Sequence, residues 1–336
     1  MFSNIILEIN EKRPKPIEID TNIINQIIFD SGIKKDIKSI SEPTTWVMQL
    51  YKIQLSDGRI LILKIGIIQD WSDASSIKNQ IKVSHILQSV GIDQPQIINF
   101  SENTEKYGFR FILSESQKGK KLYEILNTSS EKEKEIIYYE IGNMYSKIHE
   151  LKNDWAGIWD GDPGIRKYPI HPAEFYLNAE VKNGSGKYLL ENGIISKELY
   201  ENINKAWETN ISFLKDRPNS LIHNSPFPWS IYINKERQTY SISGLSALGD
   251  FMWWDKMIDV THIINPPFLS LTDDTICAFR NGYKHQIDDK TMSLYSILTK
   301  ICNMAGCYFA PINIKDAEQW NEKQIETIKE NITNLI

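Results

Sequence analysis

The stretch of residues 221–259 constrains the fold of this chain more than any other part of the sequence. Two apolar runs, at residues 231–233 and 240–245, are separated by a polar connection, which predicts a β-hairpin with a longer loop. Before the hairpin, Pro226 and Pro228 exclude regular secondary structure. Loops on either side of a hairpin can bring side chains from both to one point, so this stretch predicts a site.

The residues around this hairpin form a pattern, whose members are His223, Ser225, Ser230, Ala247, Asp250, Asp255 and Asp259. The pattern resembles the signature of the aminoglycoside phosphotransferase and choline kinase family: His-Gly-Asp-x-x-x-x-Asn, a hairpin, then Ile-Asp-Phe-x-Asp and Gly-Asp-Pro. The resemblance extends over roughly residues 40–310. It implies an α+β, two-lobe protein-kinase-like fold, with an N-terminal antiparallel β-sheet lobe carrying one main helix and a larger, mainly helical C-terminal lobe.

Three positions that carry the chemistry of that family hold other residues here. The position of the catalytic aspartate is Ser225, that of the metal-binding asparagine is Ser230, and that of the metal-binding aspartate is Ala247. A methyl group offers no ligand atom to Mg²⁺, and neutral hydroxyls are poor substitutes for carboxylates. The resemblance therefore implies a catalytically degenerate member, a pseudokinase, with no catalytic residue of the family's kind and no metal site.

A lysine and its partner are the next elements that the resemblance implies. Lys64 ends an apolar strand-like run, and the family's lysine at this strand holds nucleotide phosphates. A surface lysine whose stem lies along the sheet is the alternative. Residues 72–90 are predicted to be helical, with Gly91 as the stop. The glutamate that kinase-type folds take from this helix falls on Gln80, a fourth degenerate position.

The first lobe is predicted to be β-rich. Residues 46–55 and 59–65 form strand-like runs joined by an Asp-Gly turn. Where the family has a Gly- or Ser-rich phosphate-covering loop, this chain has Pro43 and Trp46, and proline has no N–H to donate to a phosphate. The resemblance implies that Lys64 and Trp46 lie on the nucleotide side of the cleft.

The run at residues 109–113 resembles the strand that leads into the hinge between the lobes. This places Glu115 in the hinge, as a further cofactor-side residue. It divides the chain into residues 1–116, the nucleotide-lobe equivalent, and residues 117–336, the helical lobe with the degenerate loops.

Aromatic rings lie where phosphates and metals would bind in a working relative. These rings, which include Trp46, either pack as ordinary core or lobe contacts, plug the nucleotide site, or build an aromatic pocket for a flat or cationic ligand. The predicted ligand contacts are Phe227, Trp229, His223, Asp250 and Asp255. Asp255 and Asp259 are also interpreted as groups that brace a loop and cap a helix.

The second lobe is predicted to be mainly helical. Ser130 and Glu133 form a capping box before a helix in which apolar residues recur at helical spacing. His149 on that helix is interpreted as a packed structural histidine. Further amphipathic helices are predicted at residues 196–214, 274–283, 292–308 and 317–335.

Composition limits the classes of partner. Lys and Arg number 38 against 43 Asp and Glu, so there is no basic excess that would favour nucleic acid. No apolar run reaches the roughly 18 residues of a membrane helix, and the start lacks the basic region of a signal peptide. With an odd cysteine count, we expect reduced, buried thiols in a cytoplasmic protein, namely Cys277, Cys302 and Cys307. A turn-rich surface segment is expected at residues 154–164, with a cation loop as the alternative.

Two functional hypotheses follow. The first is a pseudokinase that binds a small-molecule ligand or a protein partner and needs no cofactor. The second is an atypical enzyme of the same family with altered chemistry at Lys64, His223 or Asp250, which includes ATP- and Mg²⁺-dependent phosphotransfer to a small molecule through Asp250. Both a plugged cleft and a cleft rebuilt for a new ligand fit the sequence.

Overall fold

The N-terminal part of the chain forms one antiparallel sheet. The computed structural model describes residues 18–45, 48–66, 77–157, 170–237, 239–266, 269–309 and 317–335. Within these, the strand order is β1-β3-β4-β6-β5, and β2 pairs with β3. The strands are β1 (Ile37–Ile40), β2 (Thr44–Thr45), β3 (Met48–Leu55), β4 (Ile60–Gly66), β5 (Ile97–Ser101) and β6 (Arg110–Glu115).

The two faces of this sheet have different coverings because side chains alternate along a strand. On one face, Leu61, Leu63 and Ile65 are buried together with residues of helix α1 (Thr21–Asp30). Lys64 therefore lies on the other face, which is covered by helix α2 (Ile77–Ser89). Gln80 of α2 contacts the Met48 sulfur at 3.8 Å on that face.

The second lobe is organised around one long helix. The predicted capping box of Ser130 and Glu133 is confirmed at its N-terminus, and both reciprocal hydrogen bonds are present. The helices are α3 (Leu122–Leu126), α4 (Glu131–Glu150), α5 (Pro172–Tyr176), α6 (Ser185–Glu191), α7 (Lys197–Lys215), α8 (Met257–Ile264), α9 (Asp273–Gly282), α10 (Asp289–Phe309) and α11 (Ala317–Thr333). A π-helical turn, Leu177–Lys182, continues α5.

The predicted hairpin is present but longer than expected. It consists of β9 (Ile231–Glu236) and β10 (Thr239–Leu245), and β7 (Lys120–Lys121) pairs with β9. The expectation of a longer loop is wrong because polar side chains at a solvent-facing strand end still allow backbone pairing, as at Thr239 opposite Glu236. Strands β8 (Ser220–Ile222) and β11 (Met252–Trp254) form a small separate sheet beside it.

The sequence expectations about the cysteines, the turn-rich segment and membrane helices have different outcomes. Cys277 is exposed on the solvent side of α9, so the expectation of buried thiols is wrong for this residue; Cys302 is partly buried. Asp160 and Asp162 of the turn-rich segment lie outside the described residues. None of the helices in the described ranges has the length and apolar character needed to cross a bilayer.

Candidate functional site

The loop that follows β8 is held by one buried carboxylate. Asp259, on α8, accepts hydrogen bonds from the amides of His223 at 2.6 Å and Asn224 at 2.8 Å. It also contacts His149 Nε2 at 3.1 Å, while His149 Nδ1 pairs with the Tyr283 hydroxyl. Burial opposes ionisation, but the hydrogen bonds and charge that face this carboxyl hold the pKa of Asp259 below its usual range. Asp259 therefore fixes the loop, as expected for a bracing group.

His223 is a structural member of the same network. Its Nδ1 lies 2.7 Å from the Tyr145 hydroxyl, and its Nε2 lies 2.8 Å from the Ser246 carbonyl oxygen. Burial lowers the pKa of His223 to about 4, so the ring is neutral at pH 7. Both nitrogens have protein partners, and the ring joins the two loops that flank the hairpin.

The three replaced positions of the family signature meet at one loop junction. The Ser230 carbonyl accepts from the amide of Ser246 at 2.8 Å, directly before Ala247. Ala247 has a φ of 56° and starts the 3₁₀ turn Leu248–Asp250. The Ser225 hydroxyl hydrogen-bonds the carboxyl of Asp250 at the end of that turn. The three positions that the family pattern singles out in the sequence are therefore neighbours in space.

Asp250 is the acid of this junction. Removal from water raises the pKa of Asp250 to about 6, and the hydrogen bond from Ser225 opposes that rise. Its backbone amide donates to the Ala247 carbonyl at 3.0 Å, which fixes the turn. The carboxyl is half-buried, and within the described ranges no lysine or arginine pairs with it.

Replacing Asp250 by asparagine is expected to flatten the pH dependence of stability between about pH 4 and pH 6. The folded protein keeps this proton up to about pH 6, whereas the unfolded chain releases it near 3.8. The native state therefore binds more protons in this window, and wild-type stability falls as the pH rises, by about 2 kcal/mol in total. Urea denaturation across this range measures the difference. The exposed acid Asp93, replaced by asparagine, is the control; parallel wild-type and Asp250→Asn profiles would contradict the assignment.

Lys64 lies on the sheet face beneath α2 without a described acid or hydrogen-bond partner. Burial lowers the pKa of Lys64, with no opposing carboxylate. Its cross-strand neighbours are Leu50 and Ile112, both apolar. Residues 77–89 of α2 contain no acid, and Gln80 is buried there. A ligand anion that reached this lysine would meet an ammonium group that no carboxylate of the described residues neutralises.

A stack of three rings extends from the loop after β8 to α8. The Phe227 ring lies between Trp229, with centroids 4.8 Å apart, and His262, with centroids 5.0 Å apart. Trp229 is 42% exposed, whereas His262 is buried and its Nδ1 has no hydrogen-bond partner in the described part of the chain. The sequence pattern did not indicate His262; its position three residues after Asp259 on one helix was the available signal. Trp46 lies outside the described residues.

The remaining predicted contacts have protein partners. One Asp255 oxygen lies 2.8 Å from Arg217 Nε and 3.3 Å from the Tyr295 hydroxyl, and the other accepts the Met257 amide at 3.1 Å. Asp255 is thus fully committed to bracing α8. Glu115 ends β6, and its amide donates to the Gln96 carbonyl at 2.9 Å.

The junction does not fit a magnesium ion. No group of three or more His, Cys, Asp or Glu side chains converges within the described ranges. Ala247 has no side-chain oxygen, and Ser225 offers a hydroxyl that Asp250 already binds. Mg²⁺ in phosphotransferases is held by carboxylates and phosphates in octahedral geometry, and this donor set is too small and too neutral.

Comparisons with known proteins agree with this architecture. The sequence matches the model of the phosphotransferase enzyme family over residues 48–282. No curated protein matches it significantly. Among solved structures, the ADP-bound aminoglycoside phosphotransferase APH(2'')-Ib is similar at 16% sequence identity and a TM-score of 0.62, over 94% of this chain and 99% of that chain. The GDP and kanamycin complex of APH(2'')-IIia is similar at 13% identity and a TM-score of 0.60, over 93% of this chain and 98% of that chain. The gentamicin complex of APH(2'')-IIa is similar at 15% identity and a TM-score of 0.60, over 95% of this chain and 96% of that chain. At these identities the similarity establishes the two-lobe, protein-kinase-like fold.

Proposed function

This chain belongs to the phosphotransferase enzyme family, and on that premise we propose that it is a degenerate, cytoplasmic member that binds a small molecule instead of transferring phosphate. The observation that carries the proposal is the loop junction. Ser225, Ser230 and Ala247 gather there at the positions of the family's base and metal ligands. A positioned base contributes about 10²- to 10⁴-fold in rate, and metal-ion charge neutralisation adds several kcal/mol.

The losses act together, because the base and both metal ligands belong to one unit. A single replacement can be offset by a neighbour, but residues 219–249 contain one acid, Glu236, at the hairpin tip. Asp250 lies beside the base position but is already hydrogen-bonded to Ser225. In the described part of the chain, this junction therefore has too few oxygen atoms to hold Mg²⁺ and accept a proton at the same time.

The proposed ligand contacts are the groups at this site that protein partners do not fully occupy. Lys64 offers a cation to an anionic group, and Asp250 offers a carboxyl to a hydrogen-bond donor or a cation. The half-exposed Trp229 offers the ring face that Phe227 does not cover, whereas the Phe227 ring is stacked on both sides. Since relatives of this fold are described with ADP, GDP, kanamycin or gentamicin bound, small polar molecules of these kinds are the first ligands to test.

A thermal-shift titration with ATP, GTP and ADP, each with and without Mg²⁺, tests the proposal. We expect Mg²⁺ to add no stabilisation at millimolar nucleotide, because the protein supplies too few oxygen ligands. A ligand that contacts Lys64 should no longer stabilise the Lys64→Ala variant. It should still stabilise the control variant Lys52→Ala, because Lys52 is exposed on the adjacent strand. A metal-dependent rise of several degrees with any nucleotide would overturn the proposal.

A second function is favoured by one observation at Asp250. Its raised pKa and its hydrogen bond to Ser225 place a proton-accepting group next to the family's base position. This is the basis for an atypical enzyme of the same family, with ATP-dependent phosphotransfer to a small molecule. Turnover of ATP in the presence of an aminoglycoside panel, lost in both Asp250→Asn and Lys64→Ala, would replace the binding proposal with this one.

A further inference from the structure

Basic side chains from four segments of the second lobe lie within electrostatic range of one another. The segments follow α4, separate α7 from β8, precede α8 and follow α9. This basic cluster consists of Lys152, Arg217, Lys256 and His285. The backbone joins two of the segments, because Lys152 pairs with Ser220 in an isolated bridge and Ser220 pairs with Trp254 of β11. Lys152 is exposed and the other three side chains are partly exposed, so the cluster is open to solvent.

The acids nearest to the cluster are engaged by Arg217. Its Nε lies 2.8 Å from an oxygen of Asp255, and its Nη1 lies 3.7 Å from an oxygen of Asp288. Asp255 attracts both lysines, and Glu150 attracts Lys152, only from beyond salt-bridge distance. Among the residues that the structure describes, neither lysine therefore has a carboxylate in contact, whereas the guanidinium is neutralised.

The two lysines occupy positions that are unfavourable for a cation. Lys256 precedes the first turn of α8, where the positive end of the helix dipole opposes an ammonium group. Burial and then the charge of Lys152 lower the pKa of Lys256 to about 8, so at pH 7 it is still mainly charged. Burial also lowers the pKa of His285, and both lysines lower it further. The fold thus holds like charges together without an ion-pair partner for either lysine.

A phosphate dianion matches this arrangement of charge. Two ammonium groups carry two positive charges, and a phosphate group carries close to two negative charges at pH 7. Lysine binds phosphate as a point charge whose donors rotate toward the oxygens. Lys152 is already held in place, because its Nζ donates to the hydroxyl of the fully buried Ser220 at 2.6 Å. An anion beside Lys256 would also be favoured by the N-terminal end of α8.

We propose that Lys152 and Lys256 form a phosphate-binding site on the surface of the second lobe, separate from the loop junction. The occupant is a phosphate dianion, either free or as the monoester of a small molecule. Both ammonium groups contact its oxygens, and Ser220 positions Lys152. Arg217 stays with its two acids, and His285 lies beside the bound dianion.

A phosphorus NMR titration of the full chain with inorganic phosphate and with phenyl phosphate, a monoester, tests the site at constant ionic strength in potassium chloride. We expect saturable binding in the millimolar range. Lys256→Met and Lys152→Gln should each weaken it at least about fivefold, because a charge-assisted hydrogen bond is lost. The control Lys197→Met, at a lysine side chain that is 82% exposed on α7, should bind like wild type. Binding of either compound with this dependence supports the proposal, and the tighter one identifies whether the dianion is free or esterified.

His285 provides a second measurement, on the wild-type chain. Sulfate is the probe, because it keeps its two charges while the imidazole titrates and lysine does not distinguish it from phosphate by geometry. Proton NMR should show a higher pKa of His285 in sulfate than in chloride of equal ionic strength, and a smaller rise in Lys256→Met. Thermal midpoints verify that each variant is folded. No saturable phosphate binding at millimolar concentration, equal binding by Lys256→Met and wild type, or an unchanged pKa of His285 would each overturn the proposal.

Discussion

Asp259→Asn is expected to lower the free energy of unfolding by about 3 kcal/mol or more, because removing one partner from a buried ionic network leaves the others unpaired. The carboxylate accepts from two backbone amides and faces His149 at 3.1 Å. An asparagine side chain has one acceptor oxygen, so its NH₂ group would face a donor. Chemical denaturation followed by circular dichroism measures the loss.

Two further observations separate this prediction from a general effect of losing an acid. Asp93→Asn, at an exposed acid in the first lobe, should change stability by less than about 0.5 kcal/mol. The pKa of Asp259 lies below its usual range, so its contribution is complete at neutral pH and is lost as the pH falls through the acid range. The contribution of Asp259 to the free energy of unfolding thus rises with pH in the acid range, whereas the contribution of Asp250 falls. Equal losses in the two variants at pH 7 would show that Asp259 does not hold the loop.

Restoring the family's residues at positions 225, 230 and 247 is expected to create magnesium-dependent nucleotide turnover. The variant is Ser225→Asp, Ser230→Asn and Ala247→Asp together. We expect turnover about 10²- to 10⁴-fold above the wild-type background, the usual contribution of a positioned base. Backbone strain should not oppose the change, because aspartate adopts the left-handed conformation of Ala247 more readily than alanine does. A coupled ADP-release assay with and without Mg²⁺ measures it.

The charge that the restored variant gains gives a second test, because it should change the stability of the variant with and without Mg²⁺. A new carboxylate at position 225 would lie beside Asp250, so the variant should be less stable than wild type without Mg²⁺ and recover when Mg²⁺ binds. The matched control carries asparagine at all three positions, which keeps side-chain size and omits both new carboxylates. If the restored variant neither binds Mg²⁺ nor turns over nucleotide, the site has lost more than its oxygen ligands, and the loss extends to Gln80, the position of the glutamate that would pair with Lys64.

The local elements were predictable because they depend on neighbours in the chain. The capping box at Ser130 needs two side chains three residues apart, and β4 needs an apolar run that follows an Asp-Gly turn. The exposed end of the hairpin was misjudged because pairing there depends on the partner strand, which stabilises polar residues such as Asn234 that have little strand preference of their own.

The candidate site was predictable in its composition and less so in its contacts. That Ser225, Ser230 and Ala247 cluster followed from the family pattern. The engagement of both His223 nitrogens, by Tyr145 and by the Ser246 carbonyl, required residues 78 and 23 positions away. His262 was not considered, because its stacking on Phe227 depends on the crossing of α8 beneath the loop.

By itself, the sequence determined which chemical groups this protein has and lacks: a methyl group at position 247 cannot hold a metal in any fold, and a periodic helix buries the same side chains in any context. Only the tertiary structure decided which of the remaining groups are available. Asp255 and His223 are occupied by protein partners, whereas Lys64 has no described carboxylate near it. The physical reason is that the charge state and hydrogen bonding of a side chain depend on burial and on atoms a few ångströms away, which distant parts of the chain supply only when it packs.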